Sequence, residues 1–258
     1  MQDKTQLGSI DTAIDDKGIA TITFFHPSSN ALPGKLLADL SEAIQEAGKN
    51  EEVQVIVLKS GGDRAFCAGA SFDELVAIRD FETGKKFFMG FARVINAMRR
   101  CPKLIIGRVQ GKAVGGAVGL AAATDYCLAT QYAAVKLSEL AVGIGPFVVG
   151  PAVERKIGKS AMTQLAINAT EWRNAEWARN KGLYADIYDS TEALDAAVAA
   201  LAERLAASNP EAMEKLKRTF WEEAGNWDEL LEQRAALSGK LVLSNFTREA
   251  IEQFKQKE

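Results

Sequence analysis

The sequence predicts an α/β fold with a mostly parallel sheet, followed by a helical C-terminal region. Three observations carry this. Two short runs rich in β-branched residues, VQVIVLKS (53–60) and KLIIGRV (103–109), read as strands buried on both faces. A stretch with apolar residues at helical spacing, LLADLSEAIQEAG (36–48), precedes the first of them, so the chain must cross over between neighbouring strands. From Thr191 to the C-terminus the pattern is almost wholly helical.

The elements follow in order. IATITF (19–24) is a strand by its β-branched content, and HPSSNALP (26–33) is a loop whose Pro33 suits a helix start. The helix that follows stops at Gly48. After 103–109, the segment AVGGAVGLAAATDYCLAT (113–130) reads as a turn into a helix with a very small face. AAVKLSE (133–139) is a short strand or an ordered loop carrying Glu139. Beyond Pro146 and Pro151, helical signals cover VERKIG, SAMTQLAINA and NAEWARNKG, the last ending at Gly182. The tail is too helical and too polar-faced to extend a sheet. A core of residues 1–195 and a helical tail of 196–258 are therefore expected, with no internal repeat.

Composition bounds the partners. The chain has 258 residues, 47% apolar and 25% charged, a net charge of −3 and a pI near 5.5. That length supports one sizeable core plus an appendage. No basic tail or Arg/Lys cluster with aromatics is present, which argues against nucleic acid. The opening MQDKTQLGSI has no apolar stretch and reads as no signal peptide, and no segment reads as a membrane span. Cys67, Cys101 and Cys127 are odd in number and lack CxxC spacing, which suits a reducing, cytoplasmic setting. His26 is the single histidine, so a Ser-His-Asp triad could use no other, and a zinc site is disfavoured.

Glu139 is the residue that asks for an explanation. It lies between two glycine-dense stretches, FCAGA (66–70) and VQGKAVGGAVG (109–119), and its neighbours Leu137, Leu140, Ala141 and Val142 are apolar. A desolvated carboxylate has a raised pKa, which makes a glutamate a proton shuttle near neutral pH; the plainer alternative is a solvated edge residue. Gly69 lets the chain turn tightly, either as a simple strand-to-helix connection or as a turn whose free N–H groups face an anion. The glycines at 111, 115, 116 and 119 serve either close helix packing or a helix N-terminus that offers N–H groups to an oxyanion. The stretch is neither a GK[ST] phosphate loop nor GxGxxG. Asp125 is expected to hydrogen-bond structurally, and Asp73 and Glu74 to open a helix after the FCAGA turn. His26, Trp172 and Trp177 are read as loop or packing residues.

Taken together, HPSSNALP, FCAGASFDEL, VQGKAVGGAVGLAAATDYCLAT, SELAVGIGPFVVGPAVERKIG and the placement of KGLYADIYDS identify a close resemblance to the crotonase superfamily, the enoyl-CoA hydratase/isomerase family, over essentially the full length. The resemblance implies a spiral of ββα units and a helical C-terminal region that assembles trimers or hexamers. It implies an acyl-CoA substrate, no prosthetic group and no metal. The amides of Ala70 and Gly116 would form an oxyanion hole for the thioester carbonyl, and Glu139 would be the catalytic acid/base. Ala68, Ala70, Gly116, Phe254 and Lys257 would contact coenzyme A, the last two across a subunit boundary.

Two departures from the family pattern matter. The hydratases' other glutamate follows the glycines, and its counterpart here is Gly119. The usual EKRxPxF ending is replaced by AIEQFKQKE. One acid suffices to move a proton between carbons 2 and 4, so the resemblance favours a double-bond isomerase of fatty acid metabolism. The alternatives are a hydratase drawing on another carboxylate, for instance on a methylglutaconyl-CoA-like substrate, and a catalytically weak CoA-binding protein. If nothing replaces the missing acid, Gly119→Glu is expected to add some hydratase activity.

Overall fold

A computed structural model describes residues 8–255. Its centre is a six-stranded sheet in the order β1 (Ser9–Ile14), β2 (Ile19–Phe25), β3 (Val55–Ser60), β4 (Leu104–Val109), β6 (Tyr126–Thr130) and β8 (Asp186–Tyr188). Only β1 runs antiparallel to its neighbour; all other pairs are parallel. A second, two-stranded parallel sheet pairs β5 (Ala113–Val114) with β7 (Val135–Lys136). The expected strands at 19–24, 53–60 and 103–109 are therefore β2, β3 and β4. β1, β8 and the separate strand β6 are additions to the sequence reading.

Strand alternation sorts the sheet's side chains onto two faces. Ala20, Ile22, Phe24, Ile56, Leu58 and Ile105 join the larger core with helices α1 (Gly34–Lys49) and α3 (Phe81–Arg100). In α1, Leu36, Leu37, Leu40 and Ile44 recur at helical spacing and are buried. In α3, Asp80 caps the start by accepting from the Thr83 amide at 2.8 Å, and Arg99 and Arg100 close the last turn, where the dipole favours cations. Before α3 lies the short α2 (Phe72–Ala77), with Asp73 and Glu74 in its first turn, as the sequence suggested; the structure adds Ser71 as its cap.

The opposite face is covered by the tail. Leu194, Val198 and Ala202 of α7 (Thr191–Ala206), with Met213 of α8 (Pro210–Phe220), pack on Val55, Val57, Leu104, Ile106 and Leu128. Each large aliphatic buried there contributes roughly 1.5–3 kcal/mol, so α7 is part of the core. The boundary expected at 195/196 falls inside this helix. After Tyr188 the described chain adds no strand.

A buried polar cluster fixes α8 to the sheet. Lys217 and Asp125 form an ion pair of 2.9 Å with almost no exposed side-chain surface. Asp125 also accepts from Trp221 Nε1 and from the Ile105 amide, while Lys217 donates to the Lys103 carbonyl. The hydrogen-bonding role expected of Asp125 is what the geometry displays.

The remaining helices surround the glycine-rich segments. These are α4 (Gly116–Ala123), α5 (Gly150–Ile167), α6 (Ala175–Asn180), α9 (Trp227–Leu241) and α10 (Asn245–Lys255). The two helical signals at 153–158 and 160–169 fall within α5, where Gly158, with φ 76° and ψ 159°, interrupts the helical backbone between them. α9 lies across α3, with Gly84 and Gly239 in backbone contact. In α9, Leu231 is buried in its own chain and Leu237 is exposed. Among the described residues no helix is long and apolar enough to cross a membrane.

Candidate active site

Backbone register brings the two glycine-dense stretches together. Cys67 and Ala113 form a parallel bridge: the Cys67 amide donates to the Lys112 carbonyl at 3.2 Å, and the Val114 amide to the Cys67 carbonyl at 3.1 Å. Parallel segments advance side by side, so three residues further on Ala70 and Gly116 stand at matching offsets. A Cβ at Gly69, whose φ is 96°, would lie 2.9 Å from the Val114 carbonyl and 3.9 Å from the Gly116 nitrogen. The glycine is required by both the turn and the close approach.

On its other side the same loop is tied to residues 28–32. The Ala68 amide donates to Ser29, the Leu32 amide to Gly69 and the Ser71 amide to Leu32. These bonds bracket Ala70. Among the described residues, neither the Ala70 nor the Gly116 amide is given a protein acceptor. Both residues are half-buried. Gly116 is also the first residue of α4, so its N–H carries the positive end of the helix dipole. Two N–H groups without a protein acceptor, on neighbouring turns, are of the kind that can receive a developing oxyanion.

Glu139 is brought to this point by the chain after β7. It opens a 3-10 turn, Glu139–Val142, rather than sitting in a strand. Its Oε1 lies 3.0 Å from where a Cβ of Gly115 would be. Its Oε2 is shut off from solvent and has no hydrogen-bond partner among the described residues, although the residue as a whole is half-buried. Desolvation pushes the carboxyl from 4.5 up to about 7, partly offset by its own backbone amide. The solvated-edge alternative is thereby set aside.

Position 119 is closed. A Cβ at Gly119 would fall 2.6 Å from Val149 Cγ1 and 2.7 Å from Val149 Cβ, and Val149 is itself buried. The expectation that a glutamate could simply be added here is corrected by this contact: valine occupies the room. Gly116 is similarly covered, with Phe91 of α3 2.3 Å from a would-be Cβ.

Other expected contacts divide. Ala68 is exposed beside Ala70, with its amide committed to Ser29. Phe254 falls near the end of α10 and its side chain lies outside the described set, while Lys257 lies outside the described residues altogether. α10 packs against its own chain's 139–142 turn, where a Cβ at Gly143 would touch Phe246. His26 is half-buried, with its pKa lowered by burial, and its Nδ1 accepts from the Ser28 amide. Trp177 packs against the core, but Trp172 is exposed, with the Lys136 and Lys112 ammonium groups 4.6 and 4.9 Å from its ring centre. Cys67, Cys101 and Cys127 are free and buried, and burial pushes the Cys67 and Cys127 thiols up to about 12. Among the described residues no group of three or more His, Cys, Asp and Glu side chains could hold a metal ion.

The sequence reading missed Asn30, Gln110, Phe91 and Val149. Asn30 lies within the quoted HPSSNALP motif and Gln110 within VQGKAVGG, so each was visible without its role being so. Phe91 and Val149 had no signal of their own.

Comparison with known proteins bears on the family and the fold. A trans-2-decenoyl-(acyl-carrier-protein) isomerase of Streptococcus mutans is 25% identical over 249 residues, covering 94% of this chain and 93% of that protein. A peroxisomal Delta(3,5)-Delta(2,4)-dienoyl-CoA isomerase of Arabidopsis thaliana is 26% identical over 76% of this chain and 74% of its own length. The crystal structure of an enoyl-CoA hydratase from Bacillus halodurans superimposes with a TM-score of 0.87 at 20% identity, covering 95% of this chain and 99% of that one, a likeness of fold. The family profile described as enoyl-CoA hydratase/isomerase matches residues 15–258. The chain belongs to the enoyl-CoA hydratase/isomerase family, within the crotonase superfamily.

Proposed function

We propose that the protein shifts a carbon–carbon double bond in an acyl-CoA thioester, with Glu139 as the single acid/base. The carrying observation is the buried, unbonded Oε2 of Glu139, whose carboxylate lies beside Gly115, the residue that precedes the free Gly116 amide. In a 3-enoyl-CoA, the Glu139 carboxylate takes a proton from carbon 2. The electron pair moves onto the thioester oxygen, which the Ala70 and Gly116 N–H groups hold as a dienolate. Glu139 then returns the proton to carbon 4, giving the 2-enoyl-CoA and restoring the carboxylate. Two relatives named as isomerases support this reading.

The acyl group is a hydrocarbon chain in this reading. Ile78, Ile144 and Val242 form a buried cluster with Leu75, Phe87, Phe88, Val142 and Leu243 partly buried around it. Val142 belongs to the same turn as Glu139. An alkyl tail reaching this cluster would meet apolar side chains, which suit it better than they suit a carboxylated one. Ala68, exposed beside Ala70, contributes to binding coenzyme A. The protein works as a homotrimer or hexamer, and three buried free thiols suit the cytoplasm.

Hydration is the competing reaction of the family. It uses a second acid, and the Gly119–Val149 contact leaves no room for one at the family's usual place. The test is incubation with 3-enoyl-CoA and 2-enoyl-CoA panels in deuterated water, following conjugation and hydration separately. Double-bond migration is expected, with deuterium entering at carbon 4 only to the extent that the proton on Glu139 exchanges with solvent before it is returned. Hydration without migration would reverse the assignment.

A further inference from the structure

We infer that Asn30 and Gln110 are positioning residues which, by sharing the Ala65 carbonyl, set the spacing between the Ala70 and Gly116 amides. This deepens the proposed oxyanion site and rests on it.

Both side chains are buried, and each binds more than one loop. Asn30 Nδ2 donates to the Ala65 carbonyl at 3.0 Å and to the Gly61 carbonyl at 2.9 Å, while its Oδ1 accepts from the His26 amide at 2.9 Å. Gln110 Nε2 donates to the same Ala65 carbonyl at 3.1 Å and to Ser60 Oγ at 2.8 Å. Its Oε1 accepts from Arg108 at 3.0 Å, and Arg108 in turn holds Asp195 of α7 through two bonds. One carbonyl is thus gripped from two sides.

Ala65 leads directly into Phe66–Ala70, and Gln110 leads directly into Gly111–Gly116. The shared carbonyl lies just upstream of the Cys67–Ala113 bridge that aligns the two amides. A slip of either loop at Ala65 is carried down the parallel run to the donors. The Asn30 backbone supports the same conclusion. Ser29 and Asn30 hold φ values of 52° and 56°, two consecutive non-glycine residues in the left-handed region. Such strain persists only where surrounding contacts over-determine it, and the Asn30 bonds do so. Asn30 is also next to Ser29, whose carbonyl receives the Ala68 amide.

The test uses the full chain and acetoacetyl-CoA, whose enolate absorbs in the near ultraviolet, so the bound enolate fraction reads the alignment of the two donors. Asn30→Ala and Gln110→Ala should each lower that fraction and lower kcat about tenfold or more, since sub-ångström misplacement of reacting groups is costly. KM should move by less than about threefold, because uniform binding is untouched. The double variant should lose little more than the worse single, because the two side chains act on one carbonyl. Should the alanine variants fail to fold, Asn30→Asp and Gln110→Glu keep the acceptor oxygen and lose the donors, and they are expected to show the same loss. Folded variants of either kind with wild-type enolate fraction and kcat would overturn the inference. A wild-type protein that binds acetoacetyl-CoA without enolising it would overturn the oxyanion reading itself, and this inference with it.

Discussion

The Glu139 carboxylate rests on the bare Cα of Gly115: a Cβ there would stand 3.0 Å from Oε1. Gly115, with φ at 54°, is also the residue that turns the chain into α4 and presents the Gly116 amide. One glycine therefore sets the Glu139 carboxylate next to the turn that presents the Gly116 amide. Any side chain at 115 would be strained by the positive φ and would push the carboxylate away.

Replacing Glu139 by Gln removes the proton acceptor and little else. Turnover of a 3-enoyl-CoA should fall at least ~100-fold, the low end of a general acid–base contribution. Affinity for coenzyme A should be retained. In the wild type, the abstracting form is the carboxylate, so kcat/KM should rise with pH through about 7 and then level. Steady-state kinetics across pH check both points; a variant close to wild-type rates would remove Glu139 from the mechanism.

Glu139 also makes stability depend on pH. Its carboxyl is raised from 4.5 to about 7 by burial, so the folded state binds the proton more tightly than the unfolded chain. That contribution is fully present below about pH 4.5 and is lost as pH rises through about 7. Glu139→Gln carries no such penalty. The variant should melt at the same temperature as the wild type in acid and at a higher one at pH 8. Equal melting points at pH 8 would mean that the carboxylate is solvated after all.

Asp125→Ala strands Lys217 in the core. Removing one partner of a buried ion pair costs about 3–5 kcal/mol. Here the loss also frees Trp221 Nε1 and the Ile105 amide, all four groups lying at the junction of the sheet with α8. Urea unfolding should show a destabilisation of this size. A shift under about 1 kcal/mol, the scale of a surface pair, would show that the cluster is not closed to water.

Assembly is expected to be trimeric or hexameric, and light scattering measures it. Leu230, Leu231, Leu237 and Leu241 are the apolar positions of α9 that could supply a subunit contact. Leu231 is buried within its own chain, which leaves Leu237, exposed at 38%, as the clearest outward member. Leu237→Glu should weaken a contact built on that face and lower the measured mass. A mass of one chain at every concentration would contradict the expectation outright.

The parts of this molecule legible in its sequence are those coded locally. IATITF, VQVIVLKS and KLIIGRV announce themselves because parallel strands buried on both faces need unbroken β-branched runs. The helix α3 does not, because Gly84 and Gly90 interrupt its pattern, and both glycines answer to distant partners. Gly84 meets the Gly239 backbone, and a Cβ at Gly90 would strike Leu37. β5 is two residues long, too short for alternation to register, and β7, equally short, is legible only as a short strand or ordered loop in AAVKLSE. β6 was hidden by the run of small residues before it. In the candidate site, Glu139, Ala70 and Gly116 are singled out by their motifs. What joins them is not: the Cys67–Ala113 bridge and the Ala65 lock are pairings between separate loops, and nothing local encodes them.

Position 119 gives the last and sharpest test. The wild type should isomerise a 3-enoyl-CoA far faster than it hydrates crotonyl-CoA, because no acid stands at 119 and Val149 fills the space. Gly119→Glu alone should not create a hydratase. Its Cβ would sit 2.6 Å from Val149 Cγ1 inside a buried helix contact, and overpacking of this kind costs about 1–3 kcal/mol or more. The single variant should therefore lose stability without gaining hydration. Val149→Gly on the same chain removes the two carbons nearest the new side chain. The double variant Gly119→Glu, Val149→Gly should recover stability relative to Gly119→Glu. It should also raise the ratio of hydration to isomerisation, provided the new carboxylate reaches a water within about 2.6–3.2 Å. Melting temperature and product ratio are read on the same samples. If the single variant is as stable as the wild type, Val149 is not the obstacle. If the wild type itself hydrates efficiently, another acid serves in the pocket and the isomerase assignment falls.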